Sequence, residues 1–306
     1  MKTVVILGAG GFIGKALTKA ALVAGNKVYA MARDRETLSE LFKHANLEIV
    51  ELDMHDYRNM DKFLPDIYID SVCYLSWLGG VETKNVKNND LQIKNFEIFY
   101  EFMNAIVKVK PKKILFVSSE RKAKKHISGY QDIVDSLYGS IKHSCELVGK
   151  NIAFENNILF NSAVFSHVYG PGDISFKSSS QIIAKMLKNE AVDLIDRNTL
   201  YDWCYVDDAA NGLIKIMEQG LPYVSYYVGS RKVKPFGCII DNVKNTLNSQ
   251  SKLNYGIYRD DYIVDYDKLD TEKIYRDTDF RIDNNFKDKI LKTANWVKNN
   301  LDLRQC

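Results

Sequence analysis

Ser119, Tyr138 and Lys142 are the side chains whose types and spacing point to chemistry. Tyr138 and Lys142 stand four residues apart in Tyr138-Gly-Ser-Ile-Lys142, so on a helix they share one face. A phenol with an unperturbed pKa of about 10 needs a neighbouring cation before its phenolate is accessible near neutral pH. Lys142 is positioned to supply that charge. A tyrosine so placed donates a proton to a carbonyl oxygen as hydride reaches the carbon, or takes one from a hydroxyl as hydride leaves. Ser119 follows Ser118 at the end of an apolar run, where it can hold the same oxygen by a hydrogen bond. The Tyr-x-x-x-Lys spacing means little alone, so its weight depends on the elements around it.

Those elements begin at the N-terminus. Lys2 to Leu7 is a short apolar run, followed by Gly8-Ala-Gly-Gly11-Phe12-Ile13-Gly14, then Lys15 to Ala24 with helical spacing. Gly25-Asn26 punctuates the chain before a second apolar run, Lys27 to Ala32. The order is strand, glycine turn, helix, strand, the setting in which such a motif binds a dinucleotide. Gly8 makes the tight turn, Gly11 leaves room for a pyrophosphate, and Gly14 lets helix and strand pack closely, with Phe12 and Ile13 among the residues around the cofactor. An oxidised nicotinamide would add positive charge beside Tyr138, and Lys142 would reach the adjoining ribose. At the end of the second strand stand Ala32, Arg33 and Arg35, with Asp34 beyond the two positions that matter most. A small residue and a cation suit the 2′-phosphate, so NADP is favoured over NAD. After the third strand, Asp53 can accept from the adenine amine with Met54 against the ring, or Asp53 or Asp56 can cap a helix.

The remaining pattern sets the fold. Leu38–Lys43 reads as helix, and Leu47–Val50 and Ile69–Leu75 as strands. Next come a Ser76–Gly80 loop, a helix over about 90–109, a strand Lys112–Ser119, a helix over about 136–154 and a strand Asn157–Val164. Trp77 in the loop either faces nicotinamide or substrate, or packs as a lid. Glu120 to His126 reads as a solvated basic loop, and Ser166–Gly172 as a turn. Five or six strands alternating with helices predict a Rossmann-like, doubly wound parallel sheet. Beyond Gly170 the alternation weakens. Helices are expected at 180–189, 209–219, 235–247 and 286–299, and strands at 191–195, 223–229 and 254–264. Residues 1–170 then form a dinucleotide-binding domain carrying the catalytic residues. Residues 171–306 form mainly a smaller mixed α/β substrate lobe, with 200–225 returning to the large domain.

Composition bounds the function. The 306 residues are 46% apolar and 26% charged, with a net charge of +3 spread along the chain, as in an ordinary globular protein and without a nucleic-acid footprint. Five scattered cysteines with no CxxC suggest neither disulfides nor zinc, and the histidines form no spaced metal cluster. Cys73 and Cys145 read as packed thiols, and Asp207 and Asp208 as fixing a helix start. With no signal-peptide pattern and no apolar run of membrane length, a cytoplasmic, membrane-free protein is expected.

Taken together, the chain resembles an extended short-chain dehydrogenase/reductase of the NAD-dependent epimerase/dehydratase family from Met1 to about Gly220, with a weaker echo at Leu269–Lys273. The family's glycines match Gly8, Gly11 and Gly14, its adenine-contacting aspartate Asp53, and its catalytic set Ser119, Tyr138 and Lys142. Tyr138-Gly-x-x-Lys142-x-x-x-Glu146, Val168-Tyr-Gly-Pro-Gly172 and Tyr205-Val-Asp-Asp-Ala209 match its other hallmarks. The resemblance implies a nucleotide-linked sugar substrate and a homodimer joined through the helices around 90–109 and 136–154. This chain also departs from the pattern. Glu120-Arg121 replaces the dehydratases' Asp-Glu pair, basic residues replace the first Val-Tyr-Gly, and His167 replaces an asparagine that touches substrate. Tyr201-Asp202 replaces an Arg-Asp pair used for pyrophosphate, for which Arg197 could compensate. The expected substrate contacts are Trp77, Ser119, His167 and Arg197. The expected reaction is reduction of a 4-keto group on a nucleotide-linked sugar. The alternatives are NAD-dependent C4 epimerisation, reduction of a non-nucleotide carbonyl compound, or cofactor binding by a sensor or scaffold without turnover.

Overall fold

The structure, a computed structural model, describes residues 1–80, 83–123, 136–174, 178–258 and 264–300. In chain order the strands are β1 (Thr3–Leu7), β2 (Lys27–Ala32), β3 (Leu47–Glu51), β4 (Ser71–Tyr74), β5 (Lys113–Ser119), β6 (Leu159–Phe165), β7 (His167–Tyr169), β8 (Val192–Asp193), β9 (Leu200–Tyr201), β10 (Trp203–Tyr205), β11 (Ser225–Val228), β12 (Lys234–Pro235) and β13 (Leu253–Asn254). The helices are α1 (Phe12–Val23), α2 (Thr83–Val86), α3 (Asn89–Val109), α4 (Leu137–Glu155), α5 (Ser178–Leu187), α6 (Val206–Gln219), α7 (Phe236–Thr246), α8 (Lys273–Asp277) and α9 (Phe286–Asn299).

Seven strands form one parallel sheet in the order β11-β6-β5-β4-β1-β2-β3. Parallel neighbours require crossovers, and helices on both faces make the central strands apolar throughout. Alternation along β1 shows the two layers. Val4 and Ile6 join a core with Leu17 and Ala21 of α1 and Leu213 of α6. Val5 and Leu7 join the opposite core with Phe99 and Phe102 of α3 and Cys145 of α4. That second core holds an aromatic group in which Phe99 packs edge-on to Tyr74 at 5.3 Å and to Phe116 at 4.9 Å. Such pairs add roughly 0.5–1.5 kcal/mol each beyond the area they bury.

The sheet order reverses between β1 and β4, so the carboxyl ends of β1, β4, β5 and β6 border one crevice. A separate core, including Tyr169, Ile183, Trp203, Phe236 and Ile290, packs α5, α7 and α9 beside that edge. Among the described residues no helix is long and apolar enough to cross a membrane.

Four expectations are corrected. The sheet has seven strands, because β11 re-enters it beside β6 after the lobe elements. Within 166–172, expected as a turn, β7 pairs in parallel with β10, a partner 36 residues away in sequence that local pattern cannot reveal. The helix expected over 38–43 is a 3₁₀ helix over Arg35–Leu41, started by the Asp34 side chain accepting from the Glu36 N–H. Of the strand expected over 254–264, only Asn254 lies in β13. Gly256, at φ +77°, turns the chain, and residues 259–263 lie outside the described set.

Candidate active site

The glycine turn is built by exclusion. Gly8 has φ +80°, and the N–H groups of Gly8 and Ala9 both donate to the Met31 carbonyl, at 3.1 and 3.0 Å, tying the turn to β2. A Cβ at Gly14 would fall on the Gly8 carbonyl and lie 2.8 Å from Ala9 Cα, so α1 approaches β1 only because position 14 has no side chain. Exposed Gly11 caps α1 with no side-chain hydrogen bond and no acidic residue in the first turn. That N-terminus, with half-buried Phe12 and Ile13 in its first turn, fits a dinucleotide pyrophosphate. Two contributors escaped the sequence reading. Ser76 backs Gly8, and the Tyr57 hydroxyl hydrogen-bonds Ser76 Oγ at 2.6 Å. Ser76 could have been noted as the polar residue after a strand, whereas nothing in the local pattern marks Tyr57.

At the end of β2, Arg33 is exposed, while the Asp34 carboxylate is committed to its cap. Asp53 does cap: its Oδ1 accepts from the His55 N–H at 3.0 Å and pairs with His55 Nδ1 at 2.7 Å. The backbone bond from His55 is the main cause holding the Asp53 carboxyl below its usual range. The His55 ring and the Arg33 charge assist, and burial opposes. Met54 begins the following 3₁₀ helix and packs against the core.

Ser119 ends β5 and Tyr138 lies in the first turn of α4, where the Ser136 hydroxyl caps the Gly139 N–H. The Ser119 hydroxyl lies close enough to the Tyr138 phenol to act on it. Tyr138 is buried, its ring edge-on to Trp77 at 5.8 Å. Trp77 Nε1 donates to Gln92 Oε1 at 3.2 Å, so the Trp77 ring is fixed from α3. Lys142 Nζ donates to the Val117 carbonyl at 2.9 Å and sits 3.6 Å from the Trp77 ring centroid. Arg121 completes the group: its backbone N–H donates to Ser119 Oγ at 3.3 Å, and its guanidinium lies 5.4 Å from the Tyr138 ring centroid. Burial pushes the Tyr138 phenol up. The Arg121 charge and the Ser119 hydrogen bond pull it down, and Glu120 pushes it up.

The other expected residues sit elsewhere. His167, in β7, stacks on Trp203 at 5.5 Å within the lobe's aromatic cluster. Arg197 is half exposed, ion-paired with Asp241 and laid on the Tyr255 ring at 5.1 Å. Asp202 is fully buried, accepting from the Tyr227 hydroxyl at 2.8 Å and from both the N–H and the hydroxyl of Ser230, which makes it an anchor between β10 and the end of β11. Asp207 and Asp208 lie in the first turn of α6, with Asp208 paired to buried Lys289 at 2.6 Å. Burial pushes the Cys145 thiol up to about 12 and Cys73 further still, so neither offers a thiolate. No group of metal-binding side chains occurs among the described residues, and Lys124, Lys125 and His126 lie outside that set. A cavity of about 420 Å³ opens in the lobe between Trp203, Lys232, Asn242 and Lys287, and none of Ser119, Tyr138 and Lys142 lines it.

Lys142 presents a contest of magnitudes. A desolvated cation–π contact favours the charged form by about 2 kcal/mol. Taking the ammonium out of water costs several kcal/mol, so burial prevails and pushes Lys142 down to about 7 from 10.5. Between those values the unfolded chain binds more protons than the folded one, so stability rises with pH across that window. Below it, the full penalty is present. Urea denaturation at pH 7 and pH 10 is expected to show wild type gaining stability relative to Lys142→Met as pH rises. A difference that does not change with pH would mean that the Val117 carbonyl and the Trp77 face keep the ammonium charged.

The NAD dependent epimerase/dehydratase family model matches residues 4–229. CDP-abequose synthase from Salmonella muenchen is 30% identical over 134 residues, spanning 42% of this chain and less than half, 46%, of that one. CDP-abequose synthase from Salmonella typhimurium is 26% identical over 235 residues, spanning 74% and 75%. The structure of UDP-glucuronic acid 4-epimerase from Bacillus cereus, in complex with UDP-glucuronic acid and NAD, superposes with a TM-score of 0.81. It covers 97% of this chain and 99% of that one at 18% identity, a likeness of fold. With the family model spanning the glycine turn, Ser119, Tyr138 and Lys142, the chain belongs to the NAD dependent epimerase/dehydratase family, as an enzyme of the extended short-chain dehydrogenase/reductase type.

Proposed function

We propose that the chain reduces a 4-keto group of a nucleotide-linked sugar, with Tyr138 as proton donor. The observation that carries this reading is the grouping of Ser119 at the end of β5 with Tyr138 and Lys142 of α4, at the sheet edge that also holds the glycine turn. Bound there, the nicotinamide dinucleotide supplies hydride. Ser119 orients the carbonyl oxygen, Tyr138 transfers its phenolic proton to that oxygen, and Trp77 walls the pair from solvent. Likeness to two CDP-abequose synthases supports a nucleotide-linked sugar. The lobe over 171–306 is the part of the chain that would receive it, with His167 and Arg197 among its contacts. Exposed Arg33, beside a carboxylate already committed to a cap, supports NADP over NAD. A homodimer is supported by exposed apolar residues seven apart on adjacent helices, Ile93 and Tyr100 on α3 and Leu147 and Phe154 on α4.

Steady-state assays with a nucleotide-linked 4-ketosugar and NADPH are expected to lose about 10²–10⁴-fold in kcat on Tyr138→Phe. NADPH affinity by calorimetry should be unchanged in that variant. Purified protein that retains NAD and interconverts C4 epimers instead would replace reduction with epimerisation, which needs the same three residues. Arg33→Ala is expected to weaken NADPH binding by about tenfold, roughly 1.4 kcal/mol, and to leave NADH binding unaltered. Equal losses for both cofactors would remove the NADP assignment. Light scattering after size exclusion is expected to find a dimer, converted to monomer by Leu147→Glu; a wild-type monomer would remove that assembly.

A further inference from the structure

We propose that Arg121 is the positioning residue that sets the charge of the Tyr138 phenol and the orientation of Ser119, the electrostatic task the sequence pattern would give to Lys142. This inference rests on the proton-transfer role proposed for Tyr138. Three observations carry it. The guanidinium lies over the Tyr138 ring, 5.4 Å from its centroid. The backbone N–H of the same residue donates to Ser119 Oγ, so position 121 reaches Ser119 through its main chain and Tyr138 through its side chain. Lys142, one turn along α4, instead directs its ammonium to the Val117 carbonyl and the Trp77 face.

The physical consequence follows from where charge appears. When the Tyr138 O–H bond breaks and the proton bonds to the substrate oxygen, as hydride from the reduced nicotinamide reaches the carbonyl carbon, the electron pair left behind spreads into the phenol ring. A guanidinium over that ring is held only weakly by the neutral quadrupole and much more strongly by the phenolate. That difference lowers the proton affinity of Tyr138. Arginine suits the task because it stays charged in a site where burial pushes the Lys142 ammonium down to about 7. The backbone N–H given to Ser119 Oγ, which side-chain variants keep, uses one of its lone pairs and steers the hydroxyl hydrogen toward Tyr138 or the substrate oxygen. Among the described residues, the charged groups acting on Tyr138 are Arg121 and Glu120 from the 3₁₀ helix after β5, with Glu120 acting in the opposite sense. Ser119 and Trp77 complete its surroundings without charge.

The test is a titration that needs no turnover. With 3-fluorotyrosine placed at position 138 alone, the ¹⁹F resonance of the full chain is followed against pH, with and without NADP⁺. Arg121→Gln is expected to raise the midpoint by about 1 pH unit or more, whereas Arg121→Lys holds it nearer wild type. Arg121→Met repeats the measurement should the glutamine variant fail to fold. An unchanged midpoint in the neutral variants overturns the proposal, as does a shift in Arg121→Lys as large as in Arg121→Gln. Absence of turnover with ketosugars would defeat the functional reading while leaving this titration interpretable, so the two failures are distinguishable.

Discussion

How closely α1 approaches the end of β1 governs the rest of the site. Because a side chain at position 14 would strike the Gly8 carbonyl, the helix N-terminus can face the same crevice that β4, β5 and β6 border. The crevice exists because the strand order reverses between β1 and β4 and the helices diverge to opposite faces. The α1 N-terminus, Trp77, Ser119 and Tyr138 are therefore brought to one edge by strand ends, not by neighbouring sequence. Ser76 and Tyr57 support the turn from beneath, which ties the cofactor end of the crevice to the core around Tyr74.

Burial is the second constraint, and it acts on two ionisable partners in opposite senses. It raises Tyr138, whose charged form is an anion, and lowers Lys142, whose charged form is a cation. A buried Tyr–Lys pair thus weakens the effect it exists to produce unless some charge stays fixed. Arg121 places a guanidinium over the phenol ring to meet that need. The replacement of a dehydratase-type acid/base pair by Glu120-Arg121 therefore leaves that position both charged and in contact with Ser119 and Tyr138. Asp202 shows a comparable substitution of roles. Without an arginine before it, its carboxylate is satisfied by Tyr227 and Ser230 and joins the lobe to the sheet.

The strands of the first half and the nucleotide-binding turn were legible because they are local. Apolar runs of strand length, glycines at fixed offsets and hydroxyls after β5 each specify geometry within a few residues. The closing helix over Phe286–Asn299 was equally plain from its apolar spacing. Pairings between distant segments were not legible: β7 with β10, or β11 beside β6. A strand's partner is chosen by the whole sheet, so Ser166–Gly172 read as a turn and the strand expected over 223–229 had no place in the sheet.

The sequence by itself determined the parallel α/β architecture, the glycine turn, and the presence of Ser119, Tyr138 and Lys142 in one half of the chain. Spacing of four fixed the Cα positions of Tyr138 and Lys142 on one face of α4. Only the tertiary structure decided where their charges point, because a lysine has four rotatable bonds and its ammonium goes to whatever carbonyl or ring surrounds it. Here those partners are Val117 on β5 and Trp77 after β4. The same surroundings brought Arg121, which reads as a solvated loop residue in one dimension, onto the phenol in three.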